Sequence, residues 1–204
     1  MHQGLFITFE GIEASGKSTQ AEALARQFGE RALLTREPGG TALGRRVREI
    51  LLDATTTPIP DVEALLFLAD RAQHLHDVVR PALAARRIVI SDRYQDSSLA
   101  YQSVGRGVGE LIPSVFRHIR GLKPDLTILI DLDVKAALGR LHARGAANRL
   151  DAESPAFHGR VRQAFLDFAK AEPERFEVFD GALDVGALSV QIASRVESRF
   201  GGLL

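Results

Sequence analysis

Apolar residues fall into short runs that alternate with longer segments of helical spacing along most of the chain. Leu5–Phe9, Ala32–Thr35, Ile88–Ser91, Leu126–Asp131 and Phe176–Phe179 are brief and rich in Leu, Ile, Val and Phe, as buried strands are. Between them Lys17–Phe28, Leu43–Leu52, Val62–Ala84, Val134–Ala143, Ala156–Lys170 and Leu183–Phe200 carry the helical period. In the third of these, Leu65, Leu68, Ala69, Ala72 and Leu75 make one apolar face. The alternation predicts a three-layer α/β/α fold with a five-stranded parallel sheet, doubly wound, whose ligands sit at the carboxyl ends of the strands. No repeat or linker interrupts it, so residues 1–204 read as a single domain. Thr55–Asp61, with Pro58 and Pro60, reads as a plain connection. Arg144–Ser154 is longer, polar and arginine-bearing, and reads as a lid.

Directly after the first strand, residues Gly11-Ile12-Glu13-Ala14-Ser15-Gly16-Lys17-Ser18 spell G-x-x-x-x-G-K-[ST] and open the first helix. This is the phosphate loop of a nucleoside-triphosphate site in its required strand–loop–helix setting. Its glycines let backbone N–H groups and the helix N-terminus converge on phosphate oxygens. Chance alone produces such a match in a chain of this length with odds on the order of one per cent. Gly11 to Thr19 are therefore the expected ATP-binding residues, with Lys17 on the outer phosphates and Ser18 on Mg²⁺.

Composition narrows the partners. Lys+Arg and Asp+Glu balance at 26 each, which disfavours a general nucleic-acid binder. No apolar stretch approaches the roughly 20 residues that cross a bilayer, and the start leaves no room for a signal peptide. Without cysteine, thiolate chemistry and disulfides are excluded, consistent with a cytoplasmic setting. His74 and His76 stand two apart on a helix and point to different faces, so they do not make a metal pair.

Two more strands end in charge. Arg36-Glu37-Pro38-Gly39-Gly40-Thr41 follows the second, and Asp92-Arg93-Tyr94 the third, over the same edge as the phosphate loop. Asp92 suits an outer-sphere Mg²⁺ partner, and Arg93 a forked hydrogen bond to phosphate. With Leu66–Arg71, Asp92–Gln102, Lys123–Thr127 and Asn148-Arg149-Leu150-Asp151, these segments resemble, in order and spacing, the thymidylate kinase family in its bacterial branch. The block from Asp92 to Gln102 is far more specific than the phosphate loop.

The resemblance implies a phosphate-loop fold, ATP with Mg²⁺ as donor, dTMP as acceptor in dTTP synthesis, and a homodimer. It implies that Phe67 stacks on thymine, Arg71 donates to a thymine carbonyl, and Ser98 and Gln102 complete base recognition. Tyr101 packs under the sugar, Arg36, Arg48 and Arg93 hold the acceptor phosphate, and Glu13 lies near the sugar 3′-hydroxyl or the Mg²⁺ shell. Without the family, Phe67 would read as core.

A phosphate monoester is largely dianionic at neutral pH and needs no general base. The obstacle is repulsion between polyanions, which Mg²⁺, Lys17, Arg93 and other arginines must offset. Because Ile12, Glu13, Ala14 and Ser15 carry no positive charge, the remaining charge is expected from the lid, which offers Arg144 and Arg149. Arg149 is the expected transition-state arginine; Arg160 and Arg162 are weaker candidates. The nearest alternative is a deoxynucleoside kinase acting on a 5′-hydroxyl with Glu37 as base. A GTPase reading of Asn148–Asp151 fails on context, since that segment follows no strand. A phosphate-loop regulator of DNA or membrane binding would need a basic surface or tail.

Overall fold

The computed structural model describes residues 4–145 and 148–201. Five parallel strands, β1 Leu5–Glu10, β2 Ala32–Arg36, β3 Ile88–Asp92, β4 Leu126–Asp131 and β5 Phe176–Asp180, lie in the order β2-β3-β1-β4-β5. Each overlaps a predicted run, and β1, β2, β3 and β5 extend one residue further at the carboxyl end. The added residues are polar or charged, which is why an apolar pattern stops short of them.

Strand alternation decides what each face carries. In β1, Leu5, Ile7 and Phe9 join Ile88, Ile90, Leu126, Ile128 and Ile130 against two helices, α1 Lys17–Phe28 and α9 Val185–Phe200. Phe6, Thr8 and Glu10 point the other way. There Phe6 and Val89 pack with Leu75, Val79, Leu83 and Tyr94. Beside them, Leu129 and Phe176 meet Tyr101, Val161 and Phe165 under α8 Pro155–Ala171. Glu10 is thereby carried, fully buried, beneath the ligand edge of the sheet.

The remaining helices are α2 Ala42–Leu52, α3 Pro60–His74, α4 Arg80–Ala84, α5 Gln95–Ser98, α6 Leu111–His118 and α7 Val134–Arg144. The single helix predicted over Val62–Ala84 is interrupted by a π-helical turn at Leu75–Val79. Pro81 lacks the N–H that an α-helix would donate four residues back, so the preceding turn widens. A second π-helical stretch, Leu99–Gly105, follows α5, in a segment where no helix is predicted. The lid expectation falls partly on residues 146 and 147, which lie outside the described residues. Among the described residues no helix is long and apolar enough to cross a membrane.

Candidate active site

The loop between β1 and α1 is built for an anion. Gly11 sits at φ +142°, and a Cβ there would lie 2.5 Å from the Ile130 carbonyl oxygen. Gly16, left-handed at φ 102°, leads into α1, whose first turn has no side-chain cap and no acidic residue. Its N–H groups and the helix dipole therefore face the cleft uncompensated. Lys17 is only 7% exposed and donates to the Ile12 carbonyl at 3.0 Å. Burial, reinforced by Arg93, lowers its ammonium pKa to about 8. A triphosphate in the loop supplies the opposing charge.

At the tip of β3, Ser18 Oγ donates to Asp92 Oδ2 at 2.5 Å, while Asp92 Oδ1 is buried without a hydrogen-bond partner. A hydroxyl and a carboxylate with a spare oxygen are the hard donors Mg²⁺ takes, its remaining positions filled by water and phosphate oxygens. The described residues contain no cluster of three or more His, Cys, Asp or Glu side chains placed to hold a metal.

Arg93 is held from several sides. Its backbone adopts φ +72°, uncommon for a residue with a side chain. Nη1 donates to the Gly11 carbonyl at 3.0 Å and Ser97 Oγ at 2.8 Å, and Nη2 to Glu13 Oε1 at 2.7 Å and the Tyr101 hydroxyl at 3.2 Å. The Tyr101 hydroxyl donates in turn to Glu13 Oε2. Burial alone would raise the Glu13 carboxyl, but Arg93, Lys17 and the tyrosine outweigh it and its pKa is lowered. Beneath this layer Glu10 accepts from the Tyr94 N–H and from the Ser97 N–H and hydroxyl. Burial and the neighbouring Asp96 push its pKa up.

Arg36 leaves the end of β2 and Arg48 stands on α2, both on the cleft. Arg48 Nη1 donates to the Pro38 carbonyl at 3.1 Å. Its pKa is lowered by burial and then by Arg36, with Arg93 adding to the effect. Asp92 and Asp70 act in the opposite direction, and a bound phosphate would add to their effect.

Another part of the cleft is lined by α3. Phe67 and Arg71, four residues apart, share a face and line the cleft. Arg71 is 1% exposed; Nε donates to Glu37 Oε2 at 2.7 Å and Nη2 to the Tyr94 carbonyl at 2.9 Å, leaving Nη1 buried and unpartnered. Ser98 Oγ is likewise buried and unpartnered. Gln102 Nε2 donates to Glu63 Oε1 at 2.9 Å, which leaves its carbonyl to accept. Glu63 would be raised by burial, but Gln102, Arg106 and Arg149 lower its pKa.

Glu37, the base required by a deoxynucleoside kinase, is not free for that work. Its other oxygen, Oε1, lies 2.8 Å from His74 Nδ1. Burial opposes ionisation, yet Arg71 and His74 hold the carboxyl below its usual range. His74 is buried and His76 exposed, as their helical spacing predicts.

The cleft, about 1190 Å³, thus unites Glu13 to Thr19, Arg36, Arg48, Phe67, Arg71, Asp92, Arg93, Ser98, Tyr101 and Gln102. Gly11 and Ile12 contribute backbone from just outside it. Arg149 lies elsewhere. Its Nε donates to the Leu51 carbonyl at 3.1 Å and Nη2 lies 2.7 Å from Glu63 Oε2, so the guanidinium is committed to α2 and α3 and does not line the cleft. Local geometry explains this: Asn148 Oδ1 accepts from the Leu150 and Asp151 N–H groups, and Asp151 Oδ2 accepts from Asn148 Nδ2. That turn buries Leu150, while Arg149 reaches α2 and α3. Arg144 does line the cleft. Arg160 lies over the Phe157 ring, and Arg162 makes a two-pronged pair with Asp131, so neither is on the cleft.

Two residues at the site, Arg140 and Glu63, belong to no motif quoted above. Arg140 donates to the Ala14 carbonyl at 3.3 Å and the Gly181 carbonyl at 2.9 Å, tying α7 across the phosphate loop. No local pattern distinguishes it from other surface arginines. Glu63 had a signal: it precedes Phe67 and Arg71 at four-residue steps on one helix face.

The family model described as thymidylate kinase matches residues 9–192. A thymidylate kinase of Deinococcus radiodurans is 48% identical over 204 residues, covering 98% of this chain and 99% of that protein. One from Carboxydothermus hydrogenoformans is 48% identical over 184 residues, covering 88% and 90%. The crystal structure of thymidylate kinase from Ehrlichia chaffeensis superposes with a TM-score of 0.79 at 34% identity, covering 95% of this chain and 98% of that one. The chain belongs to the thymidylate kinase family.

Proposed function

We infer that this chain phosphorylates dTMP to dTDP, taking the γ-phosphoryl of ATP, as one step toward dTTP. The observation that carries the acceptor assignment is the convergence of Arg36 and Arg48 beside the phosphate loop, where their like charges repel and burial adds to the cost. A nucleoside without a phosphate would leave that repulsion unrelieved. Glu37, locked by Arg71 and His74, offers no base for a 5′-hydroxyl.

The roles follow from position. Phe67 supplies a flat apolar face for the thymine ring. The free Nη1 of Arg71 donates to a thymine carbonyl, and the Gln102 carbonyl accepts from N3–H. Ser98 adds a hydroxyl at the same end, and Tyr101 forms the floor under the sugar beside Glu13. Arg36, Arg48 and Arg93 receive the acceptor phosphate. The loop Gly11–Thr19 receives ATP, with Lys17 at its outer phosphates. Ser18 directly, and Asp92 through water, hold Mg²⁺, which when bound neutralises charge on the donor phosphates. With Arg149 turned to Glu63, Arg144 takes the lid's part in steadying the transferring group.

The chain acts as one domain and as a cytoplasmic homodimer with no nucleic-acid or membrane partner. Exposed apolar side chains on the adjacent helices α2 and α3, Leu43, Ile50, Val62 and Leu65, support self-association through that face. A coupled assay with ATP-Mg and either dTMP or thymidine tests the activity: turnover of thymidine but not dTMP would refute it. Sedimentation at micromolar concentration tests the dimer, and a monomer throughout would refute that part.

A further inference from the structure

Glu63 takes no part in the chemistry above, yet it is 1% exposed and is approached from three directions. Gln102, from the π-helical stretch, donates to Oε1 at 2.9 Å. Arg106, just beyond that stretch, donates to the same oxygen at 3.2 Å and reaches Glu153 at 2.6 Å with its other arm. Arg149 sets Nη2 2.7 Å from Oε2. The Arg149 backbone N–H also reaches the Leu52 carbonyl, and its Nε the Leu51 carbonyl, at the C-terminal end of α2. That is the helix that carries Arg48, and a cation is favoured at its end.

We propose that Glu63 is a positioning residue that sets pyrimidine specificity by fixing the Gln102 amide, and that the same carboxylate anchors residues 148–154 to the acceptor site through Arg149. A carboxylate only accepts hydrogen bonds, so Gln102 must turn its NH₂ toward Glu63 and its carbonyl toward the ligand. The spare Arg71 donor and the Gln102 acceptor then match the adjacent carbonyl and N3–H of a pyrimidine-2,4-dione. Cytosine has an unprotonated N3 and an amino group in those places, and it meets acceptor with acceptor and donor with donor. A site built around such hydrogen bonds rejects the mismatched base strongly. The second oxygen of Glu63, bound to Arg149, makes α2, α3 and the 148–154 segment share one buried charge.

This inference rests on the dTMP-phosphorylating reading, which assay of the wild-type chain with dTMP tests separately. The experiment compares kcat/KM for dTMP and dCMP in wild type, Glu63→Gln and Arg149→Met, with ATP affinity measured by calorimetry. In Glu63→Gln either end of the new amide faces Gln102, so the preference for dTMP over dCMP falls about tenfold or more, chiefly through KM. ATP affinity stays within about twofold. Arg149→Met raises the dTMP KM several-fold but keeps the preference, because Gln102 remains fixed. If Glu63→Gln does not fold, Glu63→Asp withdraws the carboxylate by one methylene and is expected to lose the same preference. A wild-type chain active on dTMP whose preference survives both Glu63 variants overturns the inference alone. An unchanged dTMP KM in Arg149→Met overturns the anchoring half. A wild-type chain inactive on dTMP overturns the reading beneath both.

Discussion

Arg71 Nε donates to Glu37 Oε2 at 2.7 Å, and the two side chains are 1% and 2% exposed. One member comes from α3 and the other from just past the end of β2, so the pair pins that helix to the carboxyl edge of the sheet. Removing one partner of such a pair strands the other in a medium that solvates it poorly.

Glu37→Gln is therefore expected to destabilise the fold by about 3 kcal/mol and to raise the dTMP KM as Arg71 loses its anchor. A free catalytic base would behave differently, with a large loss of kcat at unchanged stability. The pH dependence has a definite sign. The Glu37 pKa is lower folded than unfolded, so its contribution is present above the ordinary glutamate range and is lost as pH falls through the folded value. The acid limb of the wild-type denaturation profile is expected to flatten in the variant.

The two arginines of the 144–154 segment are expected to separate kinetically. Arg144→Ala lowers kcat by roughly 10²–10³ with little change in KM, as loss of a transition-state charge does. Arg149→Ala changes kcat by less than about threefold and acts on the dTMP KM. Steady-state kinetics with both substrates varied decides it; a larger kcat loss in Arg149→Ala would restore that residue to the phosphoryl group.

Lys17 gives a pH signature. In the free enzyme its ammonium titrates near 8, below the ordinary lysine value, because it is buried beside Arg93. The protonated form binds phosphate, so kcat/KM for ATP is expected to fall as pH rises through about 8. Bound triphosphate raises the lysine pKa again, and kcat at saturating ATP should hold to higher pH. Coincident pH profiles for the two parameters would contradict this.

If Ser18 and Asp92 hold Mg²⁺, turnover depends on the metal. Chelation with excess EDTA abolishes turnover, and Asp92→Asn raises the Mg²⁺ concentration for half-maximal rate about tenfold. Titration of activity against free Mg²⁺ at fixed ATP measures it, and an unshifted midpoint would remove Asp92 from the site.

The fold and the phosphate loop were readable because their signals are local. Apolar runs of strand length, helical periodicity and a motif of contiguous residues each follow from neighbours in the chain, and every strand formed where such a run occurs. The resemblance then carried the cleft residues from Arg36 to Gln102. Side-chain direction was less accessible. The apolar period ran through Leu75–Val79 without registering the widened turn.

The Arg149 expectation came from its company in a lid motif, and nothing in Asn148–Asp151 shows that Glu63 lies within reach. That contact joins residues far apart in sequence, as does Arg140 bridging Ala14 and Gly181. The sequence by itself determined that this chain cradles a triphosphate on a parallel sheet, because backbone geometry there depends on a few adjacent glycines and the strand before them. Only the tertiary structure decided which charged groups face substrate and which face each other. A buried guanidinium or carboxylate takes its role from whichever opposite charge the packing delivers, and packing draws on the whole chain at once.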